Sequence, residues 1–374
     1  MPDLTTVVVI GGSGHFGARI CRRIVSEPNT ELVIAGRREA NATELVHELR
    51  ARCPGATIRA ARLDQYSESF ENDLRQLHPG IVIHTAGPYQ GQDYRVAKAC
   101  IHCGCHYVDL ADGREFVAGI SDLHGAALER DLLLVSGAST LPGLSSAVID
   151  SVRDRFQHIS AVHISIAPGH QTPRGPSTIA AVLSYCGKPF QVLVGGQWKK
   201  TYGWQDLRVE RYPDLGRRLA GACDVPDLSL FPSYVAGIET VTFHAALEAP
   251  WEQLALWLMA WITRIGLIED WTRFLPTFQW LSNRLIALGS DTGGMQVRLI
   301  GTDSNHNSKI CTLDLTARNN YGPEIPCTPA LIIARKLVRN AMPERGAYAC
   351  LGLVSLTDME ESLRELDISW RVVD

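Results

Sequence analysis

The chain has no basic run. Its 36 Lys and Arg are scattered among 40 Asp and Glu, for a formal charge of −4, which leaves no electrostatic footprint for nucleic acid or for an anionic membrane. It also lacks an apolar stretch long enough to cross a bilayer. In the Trp-rich segment, Trp251 to Leu288, the longest charge-free run is Gln253 to Thr263, against the roughly 20 residues that a spanning helix needs. No basic n-region and no small-residue cleavage site precede the run Val7-Val8-Val9-Ile10, so no secretory signal is expected. The ten Cys lack the spacing of a disulfide framework, and a reducing cytoplasm is the expected compartment. Ile101 to Tyr107 places two His and two Cys close together, but without a second pair of ligands nearby. A metal site is therefore not expected there; a helix closed by Gly104 and followed by a strand is.

What is present is ample apolar material: 374 residues with 45% hydrophobic content, about right for two domains. With nucleic acid and membrane spanning set aside, the expected partner is a small molecule.

The strongest local pattern stands at the start. A β-branched run, Val7 to Ile10, leads into Gly11-Gly12-Ser13-Gly14-His15-Phe16-Gly17 and then into a helical segment, Ala18 to Ile24. Strand, glycine turn and helix in that order form the dinucleotide-binding arrangement of a Rossmann domain. Glycines are needed because the chain must turn sharply, bring backbone N–H groups close to a pyrophosphate, and pack the helix tightly on the strand. Gly12, Gly14 and Gly17 have that spacing.

The second strand, Glu31 to Gly36, ends where an NAD-specific domain usually places an acid for the ribose 2′-hydroxyl; here the chain continues Arg37-Arg38. Two guanidiniums suit a 2′-phosphate, which they bind as planar, permanently charged forks. NADP is accordingly the expected cofactor, the alternative being that the pair is a solvated turn. A third strand, roughly Thr57 to Leu63, ends in Asp64, expected beside the adenine.

The next unit runs Ile81-Val82-Ile83-His84-Thr85-Ala86-Gly87-Pro88-Tyr89, then a helix through Ala97 to Cys103, then His106 to Asp112. Together with the opening turn, Ala35-Gly36-Arg37, and Ser136-Gly137-Ala138 through Leu141-Pro142-Gly143-Leu144, this succession resembles the saccharopine dehydrogenase-like family of NADP-binding oxidoreductases over about residues 5 to 150. The resemblance implies that the loop Thr85 to Pro88 passes the nicotinamide side of the cofactor and that Asp109 and Asp112 face the cleft. It does not fix a substrate. Relatives with this domain include saccharopine reductases, other opine-type imine reductases and lipid-linked enoyl reductases.

Beyond about residue 155 the pattern changes to strands separated by polar, Gly- and Pro-rich loops. A second α+β domain on a mixed sheet is expected over 151–325, with strands at Ala161 to Ile166, Val241 to Leu247 and Met295 to Ile300, a helix from Ser177 to Tyr185, and a hairpin turning at Gly195-Gly196. His170 and Arg174 lie in a loop of turn formers and are the candidates there for proton donation and anion binding. Trp251 to Leu288 carries five of the eight Trp on a helical pattern broken near Gly266 and Pro276; core or homodimer packing, an apolar substrate pocket and peripheral membrane contact all remain open for it. Thr328-Pro329 reads as the N-cap and first position of a helix; the family resemblance implies that this helix returns, within 326–374, to the Rossmann domain over 1–150.

The functional expectation is hydride transfer, in the cleft between the domains, between NADPH and a small C=N, C=O or activated C=C substrate, with Asp109, Asp112, His170 and Tyr89 as candidate proton donors. Alternatives are an acyl- or lipid-linked enoyl reductase, and a non-catalytic NADP-binding sensor or membrane-associated scaffold.

Overall fold

A computed structural model describes residues 4–172 and 175–374. The chain divides into two compact units: one runs as far as Leu144 and resumes over Glu324–Val354; the other comprises Ser145–Pro323 and Ser355–Asp374.

The first unit is a doubly wound α/β layer. Six strands, β1 (Thr5–Ile10), β2 (Thr30–Gly36), β3 (Thr57–Arg62), β4 (Ile81–His84), β5 (His106–Asp109) and β6 (Leu133–Ser136), are joined by a late one, Gly346–Ala349. All are parallel, in the order Gly346–Ala349, β6, β5, β4, β1, β2, β3. Val7, Val8, Val9 and the strand residues beside them are wholly buried, as parallel strands covered by helices on both faces must be. The order reverses between β1 and β4, so the chain leaves the carboxyl ends of those two strands in opposite directions and opens a crevice there. The helix before β5 closes on Gly104 in the left-handed conformation, φ 73°, which a residue with a Cβ adopts only with strain. The nearby His and Cys are dispersed: His102 bonds Glu71 at the surface, while Cys105 is buried and bonds the Cys100 carbonyl.

The second unit is a nine-stranded mixed sheet. β7 (His158–Ala167) runs parallel to Thr240–Ala246 and antiparallel to Gly293–Thr302, and further antiparallel strands extend both edges. The expected hairpin is present, Pro189–Val194 with Gln197–Tyr202, and its two-residue turn has positive φ at both Gly195 and Gly196, as a primed turn requires. Three boundaries differ from the sequence reading. Pro276 does not interrupt a helix but opens the one at Leu275–Leu285, where its missing N–H costs nothing. Thr328 lies inside the helix Thr328–Val338, with Cys327 at the cap, and its hydroxyl bonds back to the Glu324 carbonyl. The last strand, Ile368–Val373, pairs with Ser308–Ala317 of this second sheet rather than staying with the returning segment. Arg174, the residue advanced for substrate binding, lies outside the described residues.

Candidate functional site

The glycine turn is built by steric exclusion. A Cβ on Gly17 would stand 2.3 Å from the Gly11 carbonyl oxygen and 2.8 Å from the Gly12 Cα, and one on Gly12 would stand 2.8 Å from the Val9 carbonyl oxygen. The turn therefore folds flat against the start of helix α1 (Gly17–Ile24). Gly12 N–H bonds to Val9 and Ala35, and Gly14 N–H bonds to Gly11. The N–H groups of Ser13, His15 and Phe16 have no acceptor among the described residues. Unpaired donors at the positive end of a helix, in a turn whose glycines leave the backbone bare, are what an anionic pyrophosphate needs. The residues present thus fit a dinucleotide.

Two neighbouring loops complete this edge. Thr85 donates its hydroxyl to the Ile10 carbonyl at 2.8 Å, and its Oγ1 is 2.9 Å from where a Gly11 Cβ would be, so Thr85 and Ala86 sit directly against the turn. At the end of β2, Arg37 and Arg38 are exposed and have no carboxylate partner among the described residues, while Gly36 has open space where a Cβ would project. Asp64 is half-buried after β3 and accepts from the Tyr66 N–H, a turn-forming role. His15 is half-buried, and burial, helped by the Arg19 cation, pushes its pKa down to about 4, so the ring beside the turn is neutral at pH 7.

Sequence reasoning missed what holds α1. Arg19 and Arg23 both reach Glu324, at 3.2 and 3.6 Å. Arg23 also bonds Thr328, Arg335 donates to the Arg23 carbonyl at the end of α1, and buried Glu27 pairs with Arg335 and Arg339. The returning segment thus staples α1 along its length. No local pattern foretells such pairs, because their members lie some 300 residues apart in sequence.

The candidate proton donors separate by environment. Tyr89 is buried and its hydroxyl donates to the His84 carbonyl at 2.7 Å, which braces the loop Thr85 to Pro88. Asp109 is also fully buried: one oxygen accepts from the N–H groups of Ala111 and Gly137 and from the Ser136 hydroxyl, joining the ends of β5 and β6. Burial pushes its pKa up to about 6 against the effect of those bonds. Asp112 is exposed and accepts from Gln90 at 3.1 Å. A chain that the sequence did not signal runs beneath, buried at Gln65, His84 and Tyr107: Gln92 bonds the Ala86 and Pro88 carbonyls, Gln65 contacts Gln92 and the His84 ring, and His84 contacts the Tyr107 hydroxyl at 3.1 Å.

In the second unit His170 is buried. Its ring bonds the Leu285 carbonyl at 2.8 Å and stands 3.3 Å from Glu252, and its N–H bonds Glu248, which also faces Arg218. His170, Arg218 and Glu248 line a cavity of about 270 Å³ shared with Trp251, Leu288 and Gly289. A smaller cavity, about 120 Å³, lies on the sheet beside His163, Arg208, His244 and Arg298. There each cation or ring already has a partner: Thr242 for His163, Asp206 for Arg208 and His244, and Gln296 for Arg298.

Comparison with known proteins supplies the context. Residues 7–131 match the family described as the saccharopine dehydrogenase NADP binding domain. The fold is similar to that of apo saccharopine dehydrogenase (L-Glu forming) from Saccharomyces cerevisiae, with a TM-score of 0.68 and 15% identity over 99% of this chain and 100% of that one. A curated relative, the LysW-L-2-aminoadipate/LysW-L-glutamate phosphate reductase of Saccharolobus solfataricus, is 23% identical over 193 residues, 46% of this chain and 54% of that protein. The match thus spans about half the length of the relative.

Proposed function

We propose that this chain, whose residues 7–131 match the family described as the saccharopine dehydrogenase NADP binding domain, is an NADP-dependent oxidoreductase acting on a small C=N, C=O or activated C=C substrate. The observation that carries the reading is the juxtaposition at the carboxyl edge of the sheet of an open glycine turn, with three N–H groups that have no acceptor among the described residues, and two guanidiniums with no carboxylate partner among them at the end of the adjacent strand. Gly11 to Gly17 hold the pyrophosphate, and Arg37 and Arg38 hold the 2′-phosphate, with Gly36 and Asp64 flanking the adenosine. Thr85, Ala86, Gly87 and Pro88 line the nicotinamide side, braced from beneath by Tyr89 and Gln92.

When bound, NADPH supplies the hydride. The protein orients the reactants and delivers a proton to the atom left negative. Of the side chains advanced for that step, Asp112 is the exposed one at the crevice edge, and it takes the donor or substrate-orienting role. Asp109 and Tyr89 act as positioning residues. His170, Arg218 and Glu248 form the polar wall of the second unit's cavity, and Trp251 and Leu288 its apolar wall. That apolar wall favours the second reading, an acyl- or lipid-linked enoyl substrate. The enzyme works in the cytoplasm as a homodimer.

The test is titration with NADPH and NADH, followed by nicotinamide fluorescence. NADPH is expected to bind at micromolar strength. Arg37→Ala and Arg38→Ala should each weaken it by roughly 10- to 100-fold, the value of a charge-assisted pair of about 1.5–3 kcal/mol, and leave NADH unchanged. Equal loss for both cofactors overturns the 2′-phosphate assignment.

A further inference from the structure

Of eighteen large apolar side chains exposed among the described residues, ten lie in 251–288, about a tenth of the chain. The concentration has a regular geometry. In the helix Pro250–Arg264, the buried positions are Gln253, Leu256 and Ala260. The opposite face carries Leu254, Leu258 and Trp261, and Ile265 continues it just past the helix end, all exposed. Their spacing of four, three and four residues is that of a helix–helix seam, here turned outward. The helix Leu275–Leu285 has no buried residue at all, and Leu267, in the connection between the two helices, is 72% exposed.

The helix is fixed in this orientation from its inner side. Gln253 accepts the Leu247 N–H at 3.0 Å, the Ala260 carbonyl leaves no room for a Cβ on Gly187, and the Arg264 guanidinium lies 4.0 Å from the centre of the Tyr202 ring. The apolar face therefore cannot be hidden by rolling the helix inward.

Half-exposed side chains of this size leave roughly 100 Å² each outside, or on the order of 500 Å² for Leu254, Leu258, Trp261, Ile265 and Leu267 along this one helix and its end. That reaches the roughly 300–600 Å² of the largest, often functional, patch on an ordinary monomer and would supply the apolar centre of a standard interface of roughly 800 Å² per partner. The segment's charges are Glu252, Glu269 and Asp270 against Arg264, Arg273 and Arg284, three of each sign. A balanced surface gives no attraction to anionic headgroups, whereas a two-fold contact requires a patch complementary to itself.

We propose that this face is where two copies of the chain pair, with the Pro250–Arg264 helix of one lying antiparallel against that of the other and Leu258 near the two-fold axis. The assignment rests on the homodimer reading above and gives it a surface. The hydrophobic seam does the pairing, and the balanced charges form its rim.

The experiment is light scattering after size exclusion on the full chain at micromolar concentration. The expected mass is 2 × 41.1 = 82.2 kDa for the wild type and 41.1 kDa for Leu258→Asp, with circular dichroism and NADPH affinity unchanged in the variant. Should Leu258→Asp fail to fold, Leu258→Cys decides: mild oxidation should give a covalent dimer that the oxidised wild type does not. A wild type at 41.1 kDa overturns both the homodimer and its surface. A dimer that survives Leu258→Asp, with no cross-link through Cys at 258, overturns the surface alone. Co-sedimentation of a monomeric wild type with phosphatidylcholine/phosphatidylserine vesicles, lost in Leu258→Asp, assigns the face to a membrane and overturns the proposal.

Discussion

Gly17→Ala is the sharpest perturbation of the dinucleotide edge. The added methyl would lie 2.3 Å from the Gly11 carbonyl oxygen, 2.8 Å from the Gly12 Cα and 2.8 Å from the Thr85 Oγ1. None of these atoms is the end of a flexible side chain. The first two are backbone of the turn itself, and Thr85 is held by two hydrogen bonds to the Ile10 carbonyl. Relief requires the turn to move away from α1 by nearly an ångström, which misaims the N–H groups of Ser13, His15 and Phe16. Overpacking of this kind costs about 1–3 kcal/mol. At about 2–4 °C per kcal/mol for a unit of this size, the melting temperature should fall by roughly 2–12 °C. NADPH affinity should fall by about 100-fold as the donors lose their geometry. Gly36→Ala is the internal control: the same methyl meets nothing within 4 Å, so stability should change by less than about 1 kcal/mol. Thermal unfolding and nicotinamide fluorescence on the two variants decide. If Gly17→Ala melts with the wild type and binds NADPH within threefold of it, the close-packed turn is not what the cofactor requires.

Asp109 predicts a pH dependence. Its carboxyl is raised from 3.8 to about 6 by burial, so the folded state holds the proton more tightly; the contribution is complete below about pH 3.8, falls as pH rises through about 6, and amounts to about 3 kcal/mol. Asp109→Asn cannot ionise, and its stability relative to wild type should rise between pH 4 and 7; a constant difference across that range in denaturant titrations refutes the assignment. Glu27 carries the staple between α1 and the returning helix, pairing with Arg339 at 2.6 Å and Arg335 at 3.3 Å while almost wholly buried. Glu27→Gln should cost about 2 kcal/mol, less than a fully buried pair because Arg339 is mostly exposed. It should also loosen amide-exchange protection in Thr328–Val338, and unaltered exchange there would show that apolar packing alone holds the helix.

The run from Val7 through Gly17 to Ile24 was legible because its information is local: a buried strand, a turn that admits no Cβ and a helix follow one another within twenty residues, and each leaves its own periodicity or composition. The same holds for the Gly195-Gly196 hairpin and the αL close at Gly104. The family resemblance extended this reading along the first 150 residues, since it too rests on successive strand ends.

What a side chain does once placed was not legible. Tyr89 and Asp109 have the chemistry of proton donors, but the His84 carbonyl takes the Tyr89 hydroxyl while Ala111, Ser136 and Gly137 hold one oxygen of a fully buried Asp109, and only folding brings those groups together. Nothing local singles out Glu324 or Glu27; their partners on α1 and on the returning segment come from the fold. In the Trp-rich segment the sequence determined that an apolar stripe exists, because periodicity is a property of the helix itself. Which side of that stripe faces inward depends on what packs against it. The tertiary structure places Gln253, Leu256 and Ala260 inside and leaves Leu258 and Trp261 in solvent, because burial is decided by the surroundings of a helix and not by the helix.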